Sequence, residues 1–393
     1  MSEFKNLPSG WKVVRLGDVF EKSFYGTSKT TSINGKYPVL RMGNMQNGTL
    51  DLRDLVYIDL EENEFEKYRL HKGDILLNRT NSHSLVGKVS LFDLDGDYLT
   101  ASYLVAFRPN LKVLNPTFSN NLLNTIRYQE KIRTIATKGV SQSNINPTSF
   151  KNIIKIPLPP LDEQKKIAEI LSTWDEAINL TINLIESKKQ FKKALMQNLL
   201  TAKIRFPQFK GEWKEIKLGN FLEEKSERNT KNIDLILSVT NKFGFVTQVE
   251  YFDKSVASDN TANYKIVRKG NFAYNPSRIN VGSIALLESY EIGILSPMYV
   301  VFECLKNLDN RFLKFWFQSH SFMGNLFKYL AGSVRESLNF NDMKTISIKL
   351  PNLKEQQKIA EVLTACDDEI NLLNLKLENL KKQKQGLMQK LLS

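Results

Sequence analysis

The sequence predicts an α+β chain: two mixed α/β domains separated by two long antiparallel coiled-coil helices, the whole forming a pseudo-two-fold internal repeat. Three observations predict it. A helical segment recurs late in the chain without a gap, that segment carries a heptad seam, and strand-like segments recur in the same order before each copy.

The first copy begins Leu161-Asp162-Glu163-Gln164-Lys165-Lys166-Ile167-Ala168-Glu169-Ile170-Leu171 and returns 192 residues later as Leu353-Lys354-Glu355-Gln356-Gln357-Lys358-Ile359-Ala360-Glu361-Val362-Leu363. Its tail, Ala194-Leu195-Met196-Gln197-Asn198-Leu199-Leu200, repeats in the same register as Gly386-Leu387-Met388-Gln389-Lys390-Leu391-Leu392. In the second copy Ile359, Leu363, Cys366, Ile370, Leu373, Leu377, Leu380, Lys384, Leu387 and Leu391 alternate in steps of four and three, which is coiled-coil spacing. The first copy places Ile167, Leu171, Trp174, Ile178, Thr181, Ile185, Lys188, Lys192, Leu195 and Leu199 at the same places, a more polar seam. A helix of about 40 residues is a rod on the order of 60 Å. If one helix runs out from the first domain and the other runs back, the two are antiparallel.

The regions before the helices repeat more faintly. Trp11, Leu16 and Gly17 recur as Trp213, Leu218 and Gly219, and Lys72-Gly73-Asp74 through Asn78 recurs as Lys269-Gly270-Asn271 through Asn275. Val86-Gly87 matches Val281-Gly282, and Val105-Ala106-Phe107 matches Val300-Val301-Phe302. Offsets that shrink from 202 to 195 mean loop-length differences within a shared frame. The divisions that follow are a domain over 1–160, a spacer helix over 161–205, a second domain over 206–350 and a second spacer helix over 351–393. Gly73 to Asn78, Gly87 to Phe92 and Leu99 to Phe107 have strand texture, whereas Phe118 to Ala136 and Arg311 to Ala331 read as helices. Pro157, Pro159, Pro160 and Pro351 stop the strands ahead of the long helices, and Phe206-Pro207 ends the first rod.

Composition excludes several classes. With 41% hydrophobic and 25% charged residues the chain is an ordinary globular protein. No apolar run is long enough to span a bilayer and Met1 to Gly10 is not a signal peptide, which predicts a cytoplasmic protein without membrane contact. Cys304 and Cys366 cannot form a disulfide framework, and His71, His83 and His320 lack metal-ligand spacing, so no metal is expected. The net charge of +13 favours a polyanionic partner, and it concentrates in the domains: 1–160 carries +6 and 206–350 carries +4, against +2 and +1 for the helices.

Two variable domains, each opened by a Trp…Leu-Gly element and each followed by a Pro-Leu…Glu-Gln-x-x-Ile-Ala-x-Ile/Val-Leu helix, resemble the specificity subunit of type I restriction-modification systems. The resemblance covers nearly the whole chain. Gly139-Val140-Ser141-Gln142-Ser143-Asn144-Ile145 is similar to the family's Gly-x-x-Gln-x-Asn-Ile loop; the second half departs there, reading Gly332-Ser333-Val334-Arg335-Glu336-Ser337-Leu338. The resemblance implies that each domain is a target-recognition domain for one half of a gapped double-stranded DNA target. It further implies that the helix pair docks two methyltransferase (modification) subunits using S-adenosylmethionine, and that two restriction (translocase-nuclease) subunits using ATP and magnesium complete the complex. No cofactor is expected in this chain.

Arg and Asn/Gln make the bidentate base contacts, and Lys more often holds phosphates. The candidate DNA-binding residues in the first half are Arg41, Asn44, Arg79, Asn81, Gln142 and Asn144, with Lys88 and Lys138 for phosphates. Those in the second are Asn241, Lys242, Arg278, Asn280, Arg335 and Asn339. Each has the plain alternative of a surface side chain or a turn-capping amide. The repeated Glu163/Glu355, Gln164/Gln356 and Glu169/Glu361 are candidate docking positions for two copies of a partner. A standalone bipartite DNA-binding regulator is the competing reading, since it needs the same architecture without the docking surfaces.

Catalytic motifs are missing. Tyr274-Asn275-Pro276-Ser277 lacks the second proline and the aromatic of the amino-methyltransferase motif, and Lys165 of Asp162-Glu163-Gln164-Lys165 is replaced by Gln357 in the other copy. Gly26-Thr27-Ser28-Lys29-Thr30 lacks the first glycine of a phosphate loop. The purified chain, given S-adenosylmethionine, ATP and magnesium, is therefore expected neither to methylate nor to cut DNA. Turnover abolished by a point change in one of these segments would show the opposite.

Overall fold

The computed structural model of the chain describes residues 4, 7–46, 48–247, 260–330 and 337–392. It divides into two compact units, one of Met1–Ile182 with Leu375–Ser393 and one of Asn183–Asn374. Each unit holds one α/β domain and one half of each long helix, Leu161–Leu200 and Leu353–Leu391.

The two domains share one frame. In unit 1 the strand Lys12–Arg15 pairs antiparallel with Lys155–Leu158, and in unit 2 Lys214–Lys217 pairs in the same way with Ser347–Leu350. Each domain is thus closed by joining its first strand to the strand that leads into a long helix. The central sheet of unit 1 runs Phe20–Tyr25, Leu104–Pro109, Ile75–Asn78, Val89–Leu91, antiparallel throughout. That of unit 2 runs Leu222–Glu224, Val300–Cys304, Phe272–Tyr274, Ile284–Leu286 in the same order and sense. Two of these strands in each unit, Ile75–Asn78 with Leu104–Pro109 and Phe272–Tyr274 with Val300–Cys304, carry the recurring sequences.

The turn before the third strand shows why particular residues repeat. Gly73 and Gly270 have φ of 99° and 89°, a region closed to most side chains. The next residue closes the turn: Asp74 accepts the His71 N–H at 2.8 Å, and Asn271 accepts the Arg268 N–H at 2.9 Å. Asp74 is buried and charged, and Arg108 meets it with two parallel hydrogen bonds of 2.9 and 2.8 Å. Neutral Asn271 needs no such partner. The position matching Arg108 is Glu303, which pairs with Lys225 instead.

The expected helix over 118–136 is in fact two, Pro116–Leu123 and Ile126–Thr134, because Thr125 caps the second. The expected helix over 311–331 is three short ones, Asn310–Gln318, His320–Met323 and Leu326–Leu330. Leu99 to Phe107 falls into Leu99–Thr100 and Leu104–Pro109. The first long helix stops at Leu200, short of Phe206-Pro207, and Ala202 turns the chain away with φ of 57°.

All twenty seam residues of the long helices are buried or half-buried. In unit 1, Ile167 and Leu171 near the start of the first helix share a core with Leu387, Leu391 and Leu392 at the end of the second. In unit 2, Leu195 and Leu199 share a core with Ile359 and Leu363. The pairing is antiparallel in each. The seam lysines find acids: Lys384 meets Asp175 at 2.6 Å in unit 1, and Lys192 meets Asp367 at 2.6 Å and Lys188 meets Glu369 at 2.7 Å in unit 2. Asp175 and Asp367, like Lys192 and Lys384, are 192 residues apart, so one ion pair of the repeat is made twice.

A buried glutamine fixes each domain to its helix. Gln164 Oε1 accepts the Asn115 N–H at 2.8 Å while its Nε2 donates to the carbonyls of Val113 and Pro159 at 2.9 and 2.8 Å. Gln356 repeats the bracket, accepting from Asp309 N–H at 2.9 Å and donating to Asn307 and Pro351 at 3.1 and 3.0 Å. Asn115 and Asp309 are themselves the N-caps of the next helix. Gln164→Ala or Gln356→Ala orphans one partly buried N–H and two carbonyls, and each is expected to lower unfolding free energy by about 3 kcal/mol. Denaturant unfolding of the chain without partners checks this; unchanged midpoints would mean the bracket is not structural.

Candidate nucleic-acid interface

The structure gathers five of the eight candidates of unit 1 on one small ribbon. Thr80–Asn81, Ser143–Asn144 and Thr137–Lys138 form a three-stranded antiparallel sheet with Ser143–Asn144 in the middle. The Gly139 N–H donates to the Gln142 carbonyl at 2.8 Å and closes the connecting turn. Arg79, Asn81, Lys138, Gln142 and Asn144 therefore lie together. Lys138 and Gln142 are exposed, and among the described residues neither side chain has a hydrogen-bond or ion-pair partner. Asn81 is more committed, its oxygen accepting the Ser82 N–H and its amide donating to Met42 Sδ. Arg79 Nη2 donates to Asn144 Oδ1 at 3.0 Å, and its guanidinium lies 5.2 Å from the Tyr25 ring centre.

The remaining unit 1 candidates lie elsewhere. Asn44 is 3% exposed, which corrects its reading as a DNA contact: it accepts the Arg41 N–H at 2.7 Å and donates to the carbonyls of Asp51 and Asp54 at 2.8 and 3.1 Å. It is the tie of a loop. Arg41 is held by Asp54 at 2.8 Å. Lys88 lines a cleft of about 320 Å³ with Arg133, Gln129, Asn124, Lys384 and Asp175.

In unit 2, Asn241 and Lys242 occupy the tip of the hairpin formed by Leu237–Thr240 and Gly244–Thr247, beside exposed Phe243. Arg278 and half-buried Asn280 lie on the 3-10 helix Pro276–Val281. A cavity of about 440 Å³ lined by Thr240, Asn241, Arg278, Val281 and Tyr299 joins the two sets. Arg335 lies outside the described residues. Asn339 caps the helix Phe340–Thr345 by accepting the Asp342 N–H, as Asn146 caps Pro147–Ile153 in unit 1; its oxygen is engaged in the fold. The Ile145 N–H donates to the Arg79 carbonyl at 2.8 Å, and the Leu338 N–H donates to the Pro276 carbonyl at 3.2 Å. Pro276 therefore occupies the place of Arg79, and the two units present different chemistry from one frame.

Three of the docking candidates are corrected as well. Gln164, Glu355 and Gln356 are at most 1% exposed, so none of them lies on a partner surface, and the repetition of the two glutamines records the intramolecular bracket. Glu355 takes two hydrogen bonds from Arg205, at 2.9 and 2.8 Å, and this pairing holds the arginine above its usual pKa. Glu163 accepts the Trp11 indole N–H at 3.2 Å, while Glu169 and Glu361 are exposed. Sequence reasoning missed apolar residues outside the seam. Leu180 and Leu372, at the same place in the repeat, are 61% and 66% exposed; Ile170 and Leu375 in unit 1 and Leu184 and Phe191 in unit 2 are also exposed. An apolar residue off the seam in both copies was the available signal.

Two residues of the segment Tyr274–Ser277 have roles within the fold. Tyr274 is buried, which pushes its hydroxyl pKa up, and Asn275 accepts the Ser277 N–H to start the 3-10 helix. Among the described residues no group of His, Cys, Asp and Glu could hold a metal, and no helix is long and apolar enough to cross a membrane.

One frame carrying unlike cationic and amide-bearing loops, built twice on paired helices, defines a bipartite recognition protein. The family described as the type I restriction modification DNA specificity domain matches residues 8–188 and again 210–382. The chain belongs to that family. It is 28% identical to the proposed specificity subunit of the type I restriction enzyme MjaX of Methanocaldococcus jannaschii, over 100% of this chain and 95% of that one. It is 26% identical to the EcoKI specificity subunit of Escherichia coli K12, over 90% and 81%. Its fold matches the crystal structure of a type I restriction-modification S subunit from M. genitalium with a TM-score of 0.60 at 18% identity, covering 100% and 98% of the two chains.

Asn44→Ala is expected to lower the stability of unit 1 by about 2 kcal/mol and to leave base selection unchanged. Unfolding curves beside a DNA selection assay separate the two roles, and altered selection at native stability would return Asn44 to the interface.

Proposed function

We propose that the chain is the DNA sequence-specificity subunit of a type I restriction-modification complex. The domains over 1–160 and 206–350 each read one word of a gapped double-stranded target. The helices over 161–205 and 351–393 are the spacer and the base on which two methyltransferase subunits dock. The observation that carries this reading is the double family match, one to each half of a chain whose frames coincide and whose loops differ. S-adenosylmethionine, ATP and magnesium belong to the partner subunits, including two restriction subunits, and the assembly works in the cytoplasm.

Docking rests on the exposed faces of the long helices. Leu180 and Leu372 supply the apolar part and Glu169 and Glu361 the charged part, in place of the buried glutamines. A standalone regulator has no use for apolar residues left exposed at matching places in both copies. In unit 1 the readers are Arg79, Asn81, Gln142 and Asn144; in unit 2 they are Asn241, Lys242, Arg278, Asn280 and Arg335. Lys88 and Lys138 hold phosphates.

Methylome sequencing of the host with and without the gene tests the reading, which requires one bipartite methylated motif to vanish. Binding to duplexes mutated in one word at a time tests its modularity. Gln142→Ala is expected to relax one word by about 1–3 kcal/mol and Arg278→Ala the other, while Lys138→Ala weakens all sequences and flattens the salt dependence. Equal damage to both words from every variant would overturn the modular account.

A further inference from the structure

Among the described residues, six arginines are neutralised by a carboxylate. Arg41, Arg53, Arg69, Arg108, Arg205 and Arg268 each pair with a carboxylate within 3 Å. Arg79 is held differently. Its guanidinium lies over the face of Tyr25, its Nη2 donates to the neutral amide of Asn144, and among the described residues it has no ion pair. Nε is shielded from solvent and has no partner among the described residues. Of the five N–H donors of a guanidinium, one is thus closed off and one engaged, leaving three on Nη1 and Nη2 at the exposed end.

A long cationic side chain ordered by an aromatic face and an amide oxygen keeps its full charge and its forked donor edge, and loses little further freedom on binding. The chemistry that fits such an edge is a pair of adjacent acceptors. In the major groove that pair is O6 and N7 of guanine. Resting on the DNA-reading role argued above, we propose that Arg79 reads a guanine in the word contacted by unit 1, and that Tyr25 is its positioning residue. Tyr25 ends the strand Phe20–Tyr25, is paired with Val105 in the central sheet, and is 48% exposed, so the rigid frame carries the stack to the surface. Unit 2 has Pro276 at the equivalent place and cannot read its word in this way.

The test uses the subunit assembled with its partners and a pool of duplexes randomised in both words. The wild type is expected to select guanine at one fixed position of one word, by about 10- to 100-fold over other bases. Arg79→Ala and Arg79→Lys abolish that preference and leave the rest of both words unchanged. Tyr25→Phe, which keeps the ring face, retains it; Tyr25→Ala lowers it by about 10-fold at unchanged affinity for random DNA. Guanine retained in Arg79→Ala, or uniform weakening on all sequences, refutes the assignment, and loss of the preference in Tyr25→Phe refutes the positioning role. Should Tyr25→Ala fail to fold, Tyr25→Phe and Arg79→Lys still decide. A wild type that enriches no sequence defeats the broader reading instead, an outcome distinct from the others.

Discussion

Each half of this protein depends on a single side-chain amide buried where a globular domain meets a long helix. A glutamine there has one acceptor and two donors to offer, and the surrounding backbone presents one N–H and two carbonyls. No other residue type of that size matches the set: a glutamate cannot donate, and an aliphatic side chain would leave three polar groups without this partner. The bracket also ties the N-cap of a neighbouring helix to the first turn of the long one, so the angle at which the domain leaves its helix is set by hydrogen bonds in addition to apolar contact.

With the frame so determined, variation is confined to what hangs from it. The central sheet keeps its strand order in both units, whereas the segment after its third strand becomes an extended ribbon edge in one and a 3-10 helix in the other. Proline at 276 accounts for much of that difference, since it presets the turn and has no N–H to donate to a ladder. Charge follows the same division: buried Asp74 brings its own arginine, and where the repeat substitutes Asn271 the arginine is gone.

The architecture was legible in the amino-acid sequence because repetition and heptad spacing are long-range signals that many residues share. The twenty seam positions emerged without error for that reason. Single residues were harder. Asn44 and Asn339 have the composition of base readers and the roles of loop tie and helix cap, because an amide satisfies backbone groups as readily as it satisfies bases. Gln164 and Gln356 were read as a partner surface because repetition reports that a contact is needed twice and says nothing of whether it is internal. The ribbon was partly legible: Arg79, Asn81, Lys138, Gln142 and Asn144 were singled out from two distant segments, but that the segments pair was visible only in three dimensions. Tyr25 carried no signal, being one strand aromatic among many.

The division of the chain into units has a temporal side. Unit 2 is a continuous stretch, Asn183–Asn374, whereas unit 1 needs Leu375–Ser393 to be complete. On a ribosome, where the chain emerges from its N-terminus, the first domain is made first but finished last. Ile167 and Leu171 wait for Leu387, Leu391 and Leu392 to cover the core they share. Loss of Leu375–Ser393 thus strips cover from unit 1, whose domain lies earlier in the chain, and takes nothing from unit 2.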